Sequence, residues 1–286
     1  MLRRRLDHEL VRRGLATSGE QARSLVEDGA VLVNGAQADK PGRLVAEDEA
    51  LVVQSPPRFV SRGGEKLDAA LERFAVTVAG RRALDAGAST GGFTDCLLQR
   101  GAQHVVAVDV GHGQLHPRLR HDPRVSVFER TNVRTVDAGT VGGPFELVTA
   151  DLSFISLASV APVLAGNLAT PGADVVVLVK PQFEAGRQAA RRGRGVVRDP
   201  GVRRASLEQA ASALTRAEAT IMGAMASPLL GPAGNAEFFL HARAHGTGTA
   251  SQPELSAMID AAVADAPDAE TGASPKGADA RPPGEG

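Results

Sequence analysis

Between residues 81 and 243, short apolar runs alternate with stretches of helical periodicity. This alternation is typical of strands joined by crossover helices, and it predicts an α/β fold with a mainly parallel sheet covered by helices on both faces. Seven strands are predicted, at residues 83–86, 104–110, 125–129, 147–151, 174–179, 221–226 and 238–243. We expect the last strand to be antiparallel and to lie at the end of the sheet. Helices are predicted at residues 94–99, 157–168 and 202–218.

The first 55 residues have a different pattern, typical of a small α+β domain. Helices are predicted at residues 6–13, ended by Gly14, and at 18–27, with Ser18 as the N-cap. Short strands follow at residues 30–33 and 50–53, and Asn34-Gly35 supplies a tight turn. We therefore expect a domain at 1–55, a Pro56-Pro57 linker within 56–61, a main domain at 62–245 and a weakly structured acidic tail at 246–286.

Composition narrows the class of protein. The chain has 286 residues, of which 43% are hydrophobic, enough to bury the cores of two domains. No run of about 18 uncharged apolar residues occurs, and the basic start lacks the apolar stretch of a signal peptide, so we expect a cytoplasmic protein without a membrane segment. Cys96 is the only cysteine, which excludes an internal disulfide, and ligands for a structural metal are lacking.

The charge is unevenly distributed along the chain. The net charge is −1, but residues 250–286 contain seven acids against two bases, so the rest of the chain carries about +4. Arginines form two clusters, which are Arg3, Arg4, Arg5, Arg12, Arg13 and Arg23 near the start and Arg187, Arg191, Arg192, Arg194, Arg198, Arg203 and Arg204 later. Such clusters can pair with phosphates, although a solvated basic surface remains the alternative for either one.

A glycine-rich turn follows the first predicted strand of the main domain. It comprises Asp85, Gly87, Ala88, Ser89, Gly91 and Gly92. An open α/β sheet binds nucleotide-like ligands at this position, where glycines let the backbone approach the ligand. The spacing is Gly-x-x-x-Gly, not the Gly-x-Gly-x-x-Gly that holds a pyrophosphate, which disfavours a dinucleotide. S-adenosylmethionine lacks a phosphate, and Asp85 could favour its cationic end.

Two further polar residues follow the next strands. Asp109 ends the second strand, 22 positions after Gly87, close to the spacing at which such folds reach a ribose diol. Asn132 follows the third strand and is a candidate for contact with the adenine edge, although ordinary turn chemistry would also explain an Asn there. We expect the glycine turn, Asp109 and Asn132 to form a binding site for S-adenosylmethionine.

The scarcity of lysine indicates where a lysine is required. Only four of the 32 basic residues are lysines, namely Lys40, Lys66, Lys180 and Lys276. A lysine ammonium is compact and can exchange a proton, whereas arginine stays protonated. Lys180 ends the apolar run of a central strand and Asp151 ends its neighbour, so the two side chains are expected to meet at one sheet edge. An ordinary surface ion pair is the alternative.

Five stretches in the same order resemble the TlyA (hemolysin A) family of ribosomal RNA 2′-O-methyltransferases, which are related to FtsJ. The stretches are residues 61–67, 85–93, 150–156, 179–184 and 231–237. The resemblance covers about residues 1–243. It implies a Rossmann-like methyltransferase fold, S-adenosylmethionine as cofactor and methylation of ribosomal RNA, with cytidine as the expected nucleotide. It also implies a catalytic set of Lys66, Asp151, Lys180 and Glu237.

The first domain resembles the alpha-L RNA-binding module of a small-subunit ribosomal protein and of many pseudouridine synthases. The resemblance rests on residues 6–16, on Ser18 and Ala22, and on residues 31–35. One departure is Ser18-Gly19, where the module usually has Ser-Arg, so one phosphate contact is missing. We expect Arg3, Arg4, Arg5, Arg12, Arg13 and Arg23 to bind the RNA of a ribosomal subunit.

Three other functions compete with this interpretation. A membrane-active hemolysin is disfavoured because no segment is long and apolar enough to span a bilayer. A non-catalytic RNA-binding or ribosome-assembly factor is disfavoured because all four catalytic candidates are present. An oxidoreductase is disfavoured by the glycine spacing. The sequence leaves open the proton acceptor, the modified subunit, the role of residues 187–204, any hemolytic activity and the oligomeric state.

Overall fold

The computed structural model describes residues 3–54, 57–185, 195–246 and 251–267. The chain forms two compact units, Met1–Ser61 and Arg62–Gly286. Pro56 of the expected linker, most of the second arginine cluster and residues 268–286 of the expected tail lie outside the described residues.

The described residues of the N-terminal unit form two helices and five short strands. They are β1 Arg3–Arg5, α1 Leu6–Arg12, α2 Gly19–Glu27, β2 Val31–Val33, β3 Ala36–Gln37, β4 Leu44–Ala46 and β5 Leu51–Val53. The predicted helix start is confirmed, because Ser18 Oγ accepts a hydrogen bond of 3.1 Å from Gln21 N. The predicted turn is confirmed too: Asn34 and Gly35 have φ of 52° and 79° and connect β2 to β3.

The core of this unit lies between the two helices and the strands. Strands β3, β2 and β5 form one antiparallel sheet in that order, and β1 pairs with β4. Fully buried Leu6 and Leu10 of α1 belong to the same apolar cluster as Val26 of α2 and Val31 of β2. Removal of these side chains from water stabilises the unit by about 1.5–3 kcal/mol for each large aliphatic group.

The C-terminal unit contains a seven-stranded sheet in the order β11-β12-β10-β9-β6-β7-β8. The strands are β6 Arg82–Ala86, β7 His104–Val108, β8 Val125–Phe128, β9 Phe145–Ala150, β10 Ala169–Val179, β11 Thr220–Ala226 and β12 Phe238–Arg243. All seven predicted strands are present. β12 is antiparallel as expected, but its expected place at the end of the sheet is wrong: β12 lies between β10 and β11, and β11 is the edge strand.

Among its described residues, this unit has the α-helices α3 Arg62–Arg73, α4 Gly92–Gln99, α5 Pro117–Arg120, α6 Pro181–Glu184, α7 Pro200–Arg216 and α8 Gln252–Ala264. α4 and α7 match predicted helices. The helix predicted at 157–168 is instead a 3₁₀ turn, Leu157–Ser159, followed by a π-helical stretch, Pro162–Asn167. Pro162 explains the break, since a proline cannot donate the backbone hydrogen bond that a continuous α-helix needs.

The C-terminal segment corrects a second expectation. We expected weak structure throughout residues 246–286, yet α8 is an amphipathic helix with a capping box formed by Ser251 and Glu254. Ile259 and Ala262 of α8 are buried in the main apolar cluster of the unit. Most residues of α8 are apolar, and Leu255, Ile259, Ala262 and Val263 lie on the face that packs against this cluster.

The parallel strands place the polar candidates at one edge of the sheet. β6, β7, β9 and β10 all run in the same direction, so the residues that follow them meet at their carboxyl ends. Asp85 lies near the end of β6, and Asp109, Asp151 and Lys180 directly follow β7, β9 and β10. This is the position where open α/β sheets bind their ligands.

Candidate active site

The glycine turn after β6 closes against the end of β9. Gly87 has φ of +87°, and a Cβ there would overlap the carbonyl oxygen of Asp151. An alanine would thus be strained in its backbone and would also push the β9 loop away. Gly87 therefore fixes the distance between the turn and Asp151.

Asp85 is a carboxylate enclosed within the sheet. It is fully buried, and Oδ2 accepts a hydrogen bond of 2.6 Å from Thr94 Oγ1 of α4. Burial raises the pKa of Asp85 to about 7; the hydrogen bond from Thr94 opposes the increase and the negative charge of Asp151 adds to it. Asp85 Oδ1 has no hydrogen-bond partner among the described residues. A buried acceptor without a partner is unusual, and a ligand, an ion or a water molecule can supply the missing donor or positive charge.

Asp109 connects the glycine turn to the loop after β7. Its Oδ2 accepts a hydrogen bond of 2.8 Å from Ser89 N, and its Oδ1 accepts one of 2.6 Å from Gly111 N. Each carboxylate oxygen has a second lone pair, so both can still accept a hydrogen bond from a hydroxyl group. The two backbone donors hold the carboxylate in one orientation, which suits the recognition of a vicinal diol.

A cleft of about 400 Å³ lies beside these residues. Four of the predicted cofactor residues line it, which are Gly87, Ser89, Asp109 and Asn132. The other four lie behind or beside its wall: Asp85 and Ala88 are buried, Gly91 is the N-cap of α4, and Gly92 is its first residue. Asn132 Oδ1 also accepts a hydrogen bond of 3.1 Å from Arg134 N, so the turn chemistry is present alongside the exposure to the cleft.

Lys180 and Asp151 meet at the sheet edge, as predicted from their places at the ends of neighbouring strands. Lys180 Nζ lies 2.5 Å from Asp151 Oδ1, and the two side chains are 12% and 25% exposed. The contact is a close ion pair, not an aligned hydrogen bond. The directed hydrogen bond of the ammonium goes to Ser153 Oγ, at 2.9 Å. Asp151 also lines the cleft, so it is shared between the cleft and Lys180.

Lys66 and Glu237 form a second, more deeply buried pair. Lys66 on α3 donates a hydrogen bond of 2.6 Å to Glu237 Oε2, and the side chains are only 7% and 1% exposed. Gly231 makes room for the pair, because a Cβ there would overlap Glu237 Oε1. The four catalytic candidates thus form two lysine–carboxylate pairs. Lys66 pairs with Glu237, and Lys180 pairs with Asp151.

Phe154 is a site residue that sequence reasoning missed. It lines the cleft, its side chain is 89% exposed, and its φ is +63°, which is rare for a residue other than glycine. Its ring lies 4.9 Å from the ring of Phe183, centre to centre. The chain has only nine phenylalanines and neither Trp nor Tyr, so an aromatic ring held in solvent beside the cleft is a notable surface for stacking.

The N-terminal arginines surround two buried acids. Arg12 and Arg13 both donate to Glu9, which is 1% exposed. The hydrogen bond from Arg12 is the main cause that lowers the pKa of Glu9 to about 2. Arg5 pairs with buried Asp7 at 2.9 Å. Most of these side chains keep an exposed surface, but Arg13 also donates to the carbonyls of Ala46, Glu47 and Glu49.

Part of the second arginine cluster lies within the described residues. Arg203 is buried and donates to the carbonyl of Val197 at 3.1 Å. Arg204 pairs with Asp260 of α8 at 2.7 Å. These two arginines therefore support the packing of the unit, while Arg198 is exposed. Arg187, Arg191, Arg192 and Arg194 lie outside the described residues.

Known proteins share both units of the chain. The FtsJ-like methyltransferase family model matches residues 59–244, and the S4 domain model matches residues 4–51. The chain is 51% identical over 267 residues to the 16S/23S rRNA (cytidine-2′-O)-methyltransferase TlyA of Mycobacterium tuberculosis, covering 93% of this chain and 99% of that protein. The chain belongs to the TlyA family of FtsJ-like methyltransferases.

Two other proteins to which this chain is similar are called hemolysins. Hemolysin A of Brachyspira hyodysenteriae is 36% identical, and the match covers 83% of this chain and 98% of that protein. A solved structure described as a hemolysin candidate from Streptococcus thermophilus is 38% identical, with a TM-score of 0.68 and coverage of 91% and 95%. Within the described part of the present chain, no helix has the length and hydropathy of a membrane-spanning segment.

Proposed function

We propose that this protein transfers the methyl group of S-adenosylmethionine to a ribose 2′-hydroxyl of ribosomal RNA in the cytoplasm. One observation carries the proposal: Asp151 lines the predicted cofactor cleft and also pairs with Lys180, so the cleft and the candidate catalytic lysine share a residue. Cytidine is the proposed nucleotide, because the relative from M. tuberculosis is named for that activity.

The cleft fits S-adenosylmethionine on three grounds. The unpartnered Oδ1 of Asp85 is a buried acceptor suited to the cationic end of the cofactor. The two backbone donors on Asp109 pre-orient a carboxylate for the ribose hydroxyls. The turn at Gly87 has no space for a side chain, so the backbone itself forms the wall of the cleft. Asn132 is proposed to contact the adenine through its amide nitrogen, because its carbonyl oxygen caps the next turn.

When bound, S-adenosylmethionine supplies a methyl group activated by a sulfonium. The protein must align a ribose hydroxyl with that methyl group and stabilise the hydroxyl as its proton departs. We assign Lys180 to the hydroxyl, because it is partly exposed and directed by Asp151 and Ser153. Lys66 and Glu237 are proposed to hold the neighbouring wall in place, since their pair is almost fully buried.

The protein must bind the acceptor nucleotide as well as orient its 2′-hydroxyl. The exposed ring of Phe154 beside the cleft suits stacking of an unpaired base, which is how proteins recognise single-stranded RNA. We propose that the N-terminal unit supplies affinity through phosphate contacts of Arg3, Arg4, Arg5, Arg12 and Arg23. Arg13 is less suited to that role because it is bonded to three backbone carbonyls.

The test uses purified full-length protein, radiolabelled S-adenosylmethionine and separated small and large ribosomal subunits. Transfer to either subunit is expected, followed by mapping of positions that resist alkaline hydrolysis, because a 2′-O-methyl group removes the internal nucleophile. Asp151→Asn serves as the matched inactive variant, since it keeps the shape of the side chain and removes the charge that faces Lys180. RNA binding without transfer would support an assembly factor and refute the enzyme.

A further inference from the structure

Glu184 is a buried carboxylate to which the proposed reaction gives no role. It ends α6, which starts directly after Lys180, and its side chain is 6% exposed. Its Oε2 accepts a hydrogen bond of 2.6 Å from Ser156 Oγ, and its Oε1 accepts one of 2.8 Å from Leu157 N. Burial raises the pKa of Glu184, while these two hydrogen bonds oppose the increase. Through these two hydrogen bonds, both carboxylate oxygens of Glu184 bind the segment that follows β9.

The segment between β9 and Leu157, here called the 151–156 loop, meets residues 180–184 at two more places. Lys180 pairs with Asp151 and donates to Ser153 at the start of the loop. Phe183 packs against Phe154 in the middle of the loop. Glu184 binds the end of the loop through Ser156, which is also the N-cap of the 3₁₀ turn Leu157–Ser159. Two segments 27–28 residues apart are thus joined at both ends and in the middle.

The loop conformation requires such support. Phe154 has a left-handed backbone conformation and an almost fully exposed ring. A non-glycine residue in this conformation is strained, and the strain persists only where surrounding contacts hold it. Hydrogen bonds to a carboxylate are stronger than those between neutral groups, so the two bonds to Glu184 oppose the strain. Neither Ser153 nor the ring contact alone fixes the end of the loop.

We propose that Glu184 is a positioning residue that holds the 151–156 loop in its strained conformation and thereby keeps Phe154 and Asp151 in register with Lys180. The catalytic consequence rests on the proposed function, because it assumes that Phe154 and Lys180 contact the acceptor nucleotide. The mechanical part stands on the hydrogen bonds of Glu184 alone.

The chain provides its own reporter for this proposal. It contains neither Trp nor Tyr, so Phe154→Trp introduces a single fluorophore in the middle of the loop. In this background, Glu184→Ala is expected to increase the amplitude of the nanosecond component of the anisotropy decay by about twofold or more, because the end of the loop is released. Glu184→Gln is expected to match the parent, since an amide can accept from Leu157 N and donate to Ser156 Oγ.

Glu208→Ala on α7 is the matched control. It removes a carboxylate of the same unit that pairs with Arg204, and it should leave the loop anisotropy unchanged. Should Glu184→Ala fail to fold, Ser156→Ala carries the same anisotropy test, because it removes one of the two hydrogen bonds and leaves the bond from Leu157 N. A folded Glu184→Ala protein with the anisotropy decay of the parent would overturn the proposal.

Methyl transfer is then measured with the native Phe154 in place. Glu184→Ala is expected to lower kcat/KM for ribosomal RNA by about 10–100-fold, because displacement of an aligned group by about 1 Å has this effect. Glu184→Gln should restore it to within about threefold. Equal activity in Glu184→Ala and the parent would refute the positioning role. A parent that transfers no methyl group, together with a released loop in Glu184→Ala, would refute the proposed function and leave the mechanical role supported.

Discussion

Lys180 Nζ lies 2.5 Å from Asp151 Oδ1 although the two residues are 29 positions apart in the chain. The parallel pairing of β9 and β10 creates this contact, since it brings the carboxyl ends of both strands to one sheet edge. The ammonium also donates to Ser153, so its position is set by two partners on one loop. A group of different size at this position cannot satisfy both.

Lys180→Arg tests whether position or charge matters. The variant keeps the positive charge, but the guanidinium is broader and permanently protonated. We expect kcat on ribosomal RNA to fall at least about 100-fold, as for the loss of a positioned acid–base group. Lys180→Ala should lose as much, and both variants should bind S-adenosylmethionine like the parent in calorimetry. Near-normal turnover by Lys180→Arg at saturating cofactor would leave Lys180 a purely electrostatic role.

Substitutions of the buried pair Lys66 and Glu237 test its effects on stability and on catalysis. Lys66→Ala leaves a buried carboxylate without its partner, so we expect a loss of about 3–5 kcal/mol in the free energy of unfolding. The double variant Lys66→Met with Glu237→Leu should recover most of that loss, because two apolar groups of similar volume replace the pair. Chemical denaturation measures both values. Methyl transfer should recover together with stability in the double variant, because the pair is proposed to hold the wall of the site; activity that stays low in a stable double variant would give the pair a direct part in catalysis.

Asp109→Ala should act on the cofactor before it acts on the RNA. The substitution removes the carboxylate that Ser89 N and Gly111 N hold in place. Loss of the two hydrogen bonds proposed from the ribose hydroxyls to this charged group, about 1.5–3 kcal/mol each, predicts a dissociation constant for S-adenosylmethionine raised at least about 100-fold. RNA affinity in the absence of cofactor should stay as in the parent. Unchanged cofactor affinity in a calorimetric titration would exclude Asp109 from the site.

Asp85 predicts a pH dependence of stability in the absence of cofactor. Its pKa in the folded protein is raised from 3.8 to about 7, so the folded state binds the proton more tightly than the unfolded state. The resulting stabilisation is complete below the unfolded pKa and is lost as the pH rises through about 7. Between pH 4 and pH 8 the free energy of unfolding of the parent should fall by up to about 4 kcal/mol more than that of Asp85→Asn, because the asparagine cannot ionise. Parallel denaturation curves for the two proteins across this range would contradict the assignment.

The exposed N-terminal arginines should determine the salt dependence of RNA binding. Replacing Arg3, Arg5 and Arg23 together by Ala should reduce the slope of log K against log salt by about 0.7–0.9 for each phosphate that is no longer neutralised. The control Arg216→Ala removes an exposed arginine of the C-terminal unit that bonds to Ser212. An unchanged slope in the triple variant, measured by filter binding over a salt series, would count against the N-terminal unit as the RNA anchor.

Local patterns in the sequence were sufficient to predict the strands of the sheet and about half of the site. Short, mainly apolar strands, glycines at a turn and polar residues at strand ends are features of neighbouring positions. The strands of the C-terminal unit, the turn at Gly87, Asp109 after β7 and the meeting of Asp151 with Lys180 all follow from them. The parallel arrangement then supplies the contact without further information, because it aligns all carboxyl ends.

Contacts between distant positions were decided only by the tertiary structure. Lys66 and Glu237 are 171 residues apart, and the hydrogen bond between them joins α3 to the residue before β12, a contact that no local period encodes. Three other features depend in the same way on which surfaces the rest of the fold covers. They are the position of β12 between β10 and β11, the packing of α8 and the exposure of the Phe154 ring. A sequence pattern specifies which face of an element is apolar; the partner of that face, and any side chain left in solvent, depends on the free energy of the whole assembled fold.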